Sequence, residues 1–507
     1  MEGSAPAKSS KNKVYAVGVI VFLGILSALY YVSAPVYLYI VVYMWFGFLY
    51  GALQQYGRFC FASAWRDLIM VKVPRMFVGI MVGAIVLSVI SAYVFVKFPG
   101  GYHTANIGPH ELVGGLLFGL GMVFAGGCAT GSLYKTGEGN MISLTVLLSL
   151  SFAQAIFVAL PFFDTLMKKL VYVLPANVTI ANLIWGHKGP DGNYHLPDPA
   201  ASDGGIGFFQ HLVADSLLNT VLVAVLFMIG VYAIVVRKGF LKRRANELSA
   251  NADGGEVKMG LKDDVAGFWS MISASRRTSI AAILIGIVAA IQIFTLNWMK
   301  EEYDFTNFGQ VMTLTTDSGN PPPESWPAKD HASEVSSYGI MFDPGYWYIT
   351  TQEAMFAAWA IEDGSGGSID MKNNIYFGGE LYEKNGQTFG YPGGNAIPKP
   401  WHSPALLLSF GLILGATFLS LWNREFKWKF PTKELFLYAV LGGTIMGIGA
   451  RIALGCNIGG FYTRAAFGGP GGWIFFIGMG LGAFISAKFI NYLANRKLEE
   501  MDFDIEL

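Results

Sequence analysis

Gly114-Gly115-x3-Gly119-x-Gly121-x5-Gly127-Cys128-x2-Gly131 recurs as Gly442-Gly443-x3-Gly447-x-Gly449-x5-Gly455-Cys456-x2-Gly459, seven positions matched at a constant offset of 328. Gly115 with Gly119, and Gly443 with Gly447, have the GxxxG spacing that lets helix backbones touch. Each pattern ends on a cysteine, in a chain that has only three. Internal repeats of this kind in a membrane protein build a site between them.

The surrounding composition is that of a membrane protein. The 507 residues are 53% hydrophobic and 14% charged, against roughly 25% charge in a soluble domain. Net charge is zero, which gives no footing for nucleic acid. The cysteines form no CxxC, CxxCH or cysteine–histidine cluster of metal-ligand spacing. No metal, haem, iron–sulfur centre or other cofactor is expected.

Apolar spans of bilayer length are read at about 14–34, 36–54, 76–97, 112–127, 141–163, 213–236, 278–299, 404–422, 435–455 and 471–494. The expected fold is an all-α polytopic membrane bundle with two glycine-rich repeats. Its parts are a signal-anchor span (1–35), a first transport repeat (36–165), a linking region with two spans (166–299), an extracytoplasmic insert (300–403), and a second repeat with the C-terminal tail (404–507). Basic clusters follow several spans: Arg58, Arg66, Lys72 and Arg75; Arg237 to Arg244; Arg424 to Lys433; Arg496 and Lys497. The positive-inside rule places these and the N-terminus in the cytoplasm, and 164–212 and 300–403 outside. All seven histidines then fall on or facing the outer side, as ordinary loop residues.

By the same count the span before Cys128 runs inward and the span before Cys456 runs outward, so the repeats are expected to be inverted. A weaker echo pairs Phe46-Gly47-x3-Gly51-Ala52 with Phe410-Gly411-x3-Gly415-Ala416. The insert, with Pro321-Pro322-Pro323, is too long for a structureless loop. It is expected to have a local fold that caps the outer face, and it contains no chemical motif.

The span ending near Cys128 has only about 16 apolar residues, about 24 Å of helix, so Cys128 is expected within the membrane. A break at the glycines would bring Cys456 inward as well. Non-helical backbone at that depth persists only where it is buried or lines a cavity. A thiol is a weak donor and a soft contact, suited to a sulfur-bearing anion. Arg451 lies inside an apolar span and Arg58 two residues before Cys60; an intramembrane arginine marks an ion pathway, unless it pairs with a carboxylate such as Glu138 or Asp67.

Arg58-Phe-Cys60-Phe, Gly126-Gly-Cys128-Ala-Thr-Gly131-x3-Lys135-x2-Glu138-Gly-Asn140 and Gly455-Cys456-Asn-Ile-Gly-Gly460 resemble the YeeE/YedE family of bacterial thiosulfate-uptake proteins. The resemblance covers about 36–165 and 404–494. It implies a multi-pass protein of the bacterial inner membrane with short re-entrant helices, in which three cysteines relay thiosulfate through a narrow waist by S–H···S hydrogen bonds. Carried over residue by residue, the cysteines are Cys60, Cys128 and Cys456. The expected substrate-contacting set adds Arg58, Arg451, Gly127, Gly131, Gly455, Asn457 and Gly459, with no catalytic residue. Expected partners are thiosulfate or a related sulfur anion and the lipid bilayer, with a protein at the insert or a cytoplasmic sulfur carrier as further candidates. Two other classes stand beside transport: a structural subunit of a larger redox complex, and a membrane sulfurtransferase forming a cysteine persulfide.

Overall fold

In hydrocarbon a backbone must satisfy its N–H and C=O groups within its own segment, which makes helices of the long apolar runs. The computed structural model describes residues 7–33, 37–98, 107–171, 179–188, 194–195, 207–251, 260–302, 349–369, 371, 382–384, 387–389 and 399–505. In chain order the helices are α1 Ala7–Ser33, α2 Leu38–Gly57, α3 Phe61–Arg66, α4 Arg75–Lys97, α5 Pro109–Phe124, α6 Ala129–Gly137, α7 Met141–Ala159, α8 Phe163–Val171 and α9 Ile180–Trp185. They continue with α10 Phe208–His211, α11 Leu222–Val231, α12 Arg237–Asn251, α13 Leu261–Ser273, α14 Arg276–Glu302, α15 Ile349–Gly364, α16 Pro404–Trp422, α17 Lys433–Ile452, α18 Thr463–Ala466 and α19 Gly471–Ile505. Strand structure among the described residues is limited to two short two-stranded ladders, at 187–195 and 382–389.

The protein is an all-α polytopic membrane protein. Nine helical segments among the described residues are long and apolar enough to cross a bilayer. Nine of the ten spans read from sequence fall on them. The exception is α2, whose four tyrosines and Gln54-Gln55 dilute its apolar character, although one side of it is deeply buried.

Glycine sets the helix contacts. A Cβ on Gly47 or Gly51 of α2 would lie 2.1 or 1.9 Å from the carbonyl oxygens of Leu408 and Leu412 on α16. Gly411 and Gly415 return the contact to Met44 and Phe48. Residue numbers rise together, so α2 and α16 are parallel. Helices exchanged by an in-plane axis run antiparallel, so the echo between 46–52 and 410–416 does not pair counterparts of an inversion.

The two glycine-cysteine helices do run antiparallel: Gly114 of α5 meets Gly449 and Ala453 of α17, and Gly121 meets Gly442 and Met446. Their GxxxG pairs face elsewhere. Gly115 and Gly119 abut Phe475 and Met479 of α19, while Gly443 and Gly447 abut Val146 and Leu150 of α7. Each motif helix therefore packs on the helix that follows the other cysteine.

The linking region is part of this core. Asn219 Nδ2 and Thr220 Oγ1 donate to the Ala465 carbonyl at 2.7 and 2.8 Å, and Trp473 Nε1 donates to the Asn219 carbonyl at 2.9 Å. The loops after α2, α6 and α16 share one face. Lys427 and Lys429 N–H donate to the carbonyls of Glu138 and Gly139 at 3.1 and 2.9 Å. On the opposite face the Tyr30 hydroxyl donates to the Trp401 carbonyl at 2.8 Å, and Ser403 Oγ donates to Gln352 Oε1 of α15 at 3.1 Å.

Of the insert, Pro321-Pro322-Pro323 and His331 lie outside the described residues, as does His103. The part that is described does more than cover a surface: α15 packs among α6, α7, α16 and α17.

A Cβ on Gly119 would sit 2.1 Å from the Met479 carbonyl oxygen, a backbone atom that cannot swing away. Gly119→Val is expected to cost at least the ~1–3 kcal/mol typical of overpacking, read as a lower Tm of the purified protein in detergent. Gly18→Val, on α1 with no atom within 4 Å, is expected to leave Tm in place.

Candidate functional site

One backbone device recurs before every cysteine. α2, α5 and α17 each stop at a residue in the left-handed region two positions before the thiol: Arg58 at φ 53, Gly126 at φ 68 and Leu454 at φ 55. The next N–H donates to the carbonyl five residues back, Phe59 to Gln54, Gly127 to Met122 and Gly455 to Ala450, at 3.0, 3.1 and 2.9 Å. This is the Schellman closure, which satisfies the stranded carbonyls of a helix end. A short helical segment then starts with the cysteine as its N-cap: Cys60 before α3, Cys128 before α6, and Cys456 before the π-helical turn Asn457–Tyr462 that leads into α18.

At Cys128 and Cys456 the thiol replaces the usual capping oxygen, whereas the Cys60 side chain makes no cap bond. Gly131 N–H donates to Cys128 Sγ at 3.3 Å and Ile458 N–H to Cys456 Sγ at 3.4 Å. Each sulfur thus stands at the partly positive start of a helical segment, where negative charge is favoured. Cys60 and Cys128 are fully buried with their sulfurs 3.8 Å apart, and Cys456 is 1% exposed. Among the described residues no sulfur contact of that kind joins Cys456 to the other two. The two sides meet through aromatic rings instead: Phe61, next to Cys60, packs edge-on against Phe461 and Tyr462 with centroids 6.1 Å away in both cases.

Buried polar atoms without protein partners ring these turns. They include the Thr130 and Ser132 hydroxyls in the first turn of α6, both amide atoms of Asn457, Gln54 Oε1, and both carboxyl oxygens of Glu353. Such atoms are rare in folded proteins, and each calls for a ligand, water or functional explanation.

The other expected contact residues are placed as follows. Gly131 is where a Cβ would strike Cys60 Sγ at 2.5 Å and Cys128 Sγ at 3.2 Å, so its lack of a side chain permits the sulfur pair. A Cβ on Gly455 would meet Gly460 N at 2.7 Å, and one on Gly127 would meet Ser132 Oγ at 3.1 Å. Gly459 lies in the π-helical turn, partly buried.

Arg58 sits at the basic face, its side chain 48% exposed and bound by the carboxylates of Glu138 and Glu425. Burial pushes the Glu138 carboxyl above its ordinary value, and Arg58 pulls it back. Arg451 is fully buried, and its Nη2 donates to Thr351 Oγ1 of α15 at 3.0 Å. Neither carboxylate considered for Arg451 fills that role. Glu138 takes Arg58 and Asp67 takes Arg66, while Arg451 faces the field of Glu353.

Sequence reading missed Glu353 and Thr351, which come from an insert judged to have no chemistry. The available signal was Ala354 to Ile361, an apolar run inside a polar segment and headed by one glutamate. It also missed Glu111, whose Oε1 accepts from Arg464 Nη1 at 2.6 Å with both side chains buried. That pair ties the start of α5 to α18.

A family model described as "Sulphur transport" matches residues 56–186 and 208–485. The chain is similar to the thiosulfate transporter TsuA of Escherichia coli (strain K12), 42% identical over 97 residues, 18% of this chain and 27% of the relative. It is equally similar to the thiosulfate transporter TsuA of Spirochaeta thermophila, 42% over 97 residues, 18% of this chain and 28% of the relative. A probable transporter YedE of Escherichia coli (strain K12) is 38% identical over 98 residues, 19% of this chain and 24% of the relative. The chain spans about a quarter of the length of these relatives.

Breaking one side of a buried ion pair strands a charge and costs about 3–5 kcal/mol. Arg464→Met is therefore expected to lower Tm strongly. Arg464→Met combined with Glu111→Leu is expected to recover most of the loss, as a double-mutant cycle on purified protein would read.

Proposed function

The chain belongs to the sulphur transport family, and on that premise we propose that it carries thiosulfate, or a closely related sulfur anion, across the bacterial cytoplasmic membrane as a transporter rather than an enzyme. The observation that carries this reading is the set of three buried cysteines at the N-cap positions of three short helical segments, with two of the sulfurs 3.8 Å apart. Two similar relatives named as thiosulfate transporters support the choice of ion.

The chemistry follows from the thiols. A protonated S–H donates weakly to a sulfane sulfur, and the helix starts attract the negative charge without binding it hard. The anion passes from the Cys456 turn to the Cys60–Cys128 pair, handed between S–H groups with no bond made or broken. Asn457, Thr130 and Ser132 offer their unpaired polar atoms to its oxygens. Gly127, Gly131, Gly455 and Gly459 keep the backbone close enough for the passage to stay narrow. Arg451 supplies positive potential beside Cys456, and Arg58 does so at the basic face.

In this reading the two halves are inverted repeats, supported by the antiparallel contact of α5 with α17 and their reciprocal packing on α19 and α7. The basic face, with the N-terminus, is cytoplasmic by the positive-inside rule.

Uptake of labelled thiosulfate into proteoliposomes tests the proposal. Cys60→Ala, Cys128→Ala and Cys456→Ala are each expected to abolish uptake while the protein still purifies as a single folded species. Gly131→Ala, which forces its methyl onto the two sulfurs, is expected to reduce uptake severely with all thiols present. Excess sulfate is expected to compete poorly. Full uptake by all three alanine variants would refute the relay.

A further inference from the structure

The α15 helix brings a carboxyl group to a place where an anion carrier has no evident use for one. Glu353 is 5% exposed, and neither carboxyl oxygen has a hydrogen-bond partner among the described residues. Its neighbours on the helix engage the second re-entrant unit: Thr351 accepts from Arg451 at 3.0 Å, and the backbone of Thr350 reaches the Cys456 sulfur. The field of Arg451 acts on Glu353, and that of Glu353 reaches Cys456.

The elements packed against α15 present few other charges. α7 and α16 have no ionisable side chain along Met141–Ala159 or Pro404–Trp422. α6 brings Tyr134, and Lys135, whose Nζ donates to the Gly126 carbonyl at 2.8 Å. α17 brings Lys433, Glu434 and Tyr438 near its start; Lys433 lies about 27 Å of helix away from Arg451. Along α15 itself, Glu362 and Asp363 lie at the far end, with Glu362 Oε2 accepting from Met371 N–H at 3.3 Å. Among the described residues the positive charge that acts on Glu353 is Arg451.

That guanidinium also lies within the field of Cys456. An anion arriving there competes with the Glu353 carboxylate for one cation in a low-dielectric interior, where like charges repel strongly. Burial without hydrogen bonds already disfavours the charged acid. The cheapest response is protonation.

We propose that Glu353 is the proton-coupling residue of the transporter: it takes up one proton as the anion settles beside Arg451 and Cys456, and releases it when the anion moves on. The proton balance is one H+ carried per anion, so a dianion crosses with one negative charge fewer. This rests on the reading of Cys456 as part of the anion path and adds the driving force to it.

The test uses the full-length protein in liposomes with a pH-sensitive dye trapped inside and labelled thiosulfate outside. For the native protein, label entry with simultaneous acidification of the lumen is expected, together with faster accumulation when the outside is more acidic. Glu353→Gln is expected to lose both the acidification and the response to the proton gradient, while still exchanging labelled for unlabelled thiosulfate. Label entry into native vesicles without proton entry overturns the coupling and leaves the transport reading standing, whatever the variant does. Glu353→Gln vesicles that still acidify in step with the label overturn the assignment to this residue. No label entry with native protein removes both readings.

Discussion

A helix that stops inside hydrocarbon strands carbonyls at its end and N–H groups at the start of the next segment. Each unsatisfied group there costs several kcal/mol. The three cysteine turns solve this in one way. A left-handed residue closes the helix through a five-residue backward hydrogen bond, and a cysteine opens the next segment, with its sulfur as the cap at Cys128 and Cys456. The thiols therefore stand where they do as a consequence of how these helices terminate. Capping by sulfur is weaker than capping by a hydroxyl or carboxylate oxygen, and it leaves a soft, underused acceptor at a positive helix start.

Only one of the three turns has glycine at the left-handed position. Gly126 adopts it at little cost, whereas Arg58 and Leu454 each spend about 1–2 kcal/mol. Leu454 stands at the position matching Gly126 in the second pattern, 328 residues on. Its side chain packs in a small cluster with Phe157, Met355 and Ile452. That packing, which includes the insert helix α15, offsets the backbone cost. Arg58 is held instead by two carboxylates, Glu138 and Glu425, that come from two other loops of the same face. Strain at each turn is thus met by groups remote in sequence.

The reciprocal packing of α5 on α19 and of α17 on α7 interlocks the two halves. Neither half buries its own glycine face; each needs the helix beyond the other half's cysteine. The Glu111–Arg464 pair and the clasp of Asn219 and Thr220 on Ala465 add polar ties to the second unit. The linking region and α15 are thus working parts of the bundle.

Much was legible from residue order alone. The repeated glycine-cysteine spacing marked the two principal turns, apolar run length marked the spans, and Arg58-Phe-Cys60-Phe marked the third turn, because each depends on local chain chemistry. Helix partners were a different matter. GxxxG says that a backbone is approached closely and nothing about which helix approaches, so the exchange of α7 and α19 between halves was invisible, and the echo of 46–52 in 410–416 misled. The same holds for charge. Arg451 announced itself as an intramembrane cation, but its company, Thr351 and Glu353, lies about 100 positions earlier in a segment with no motif. Which groups share a low-dielectric interior is decided by packing across the whole chain, and only the tertiary structure supplies that.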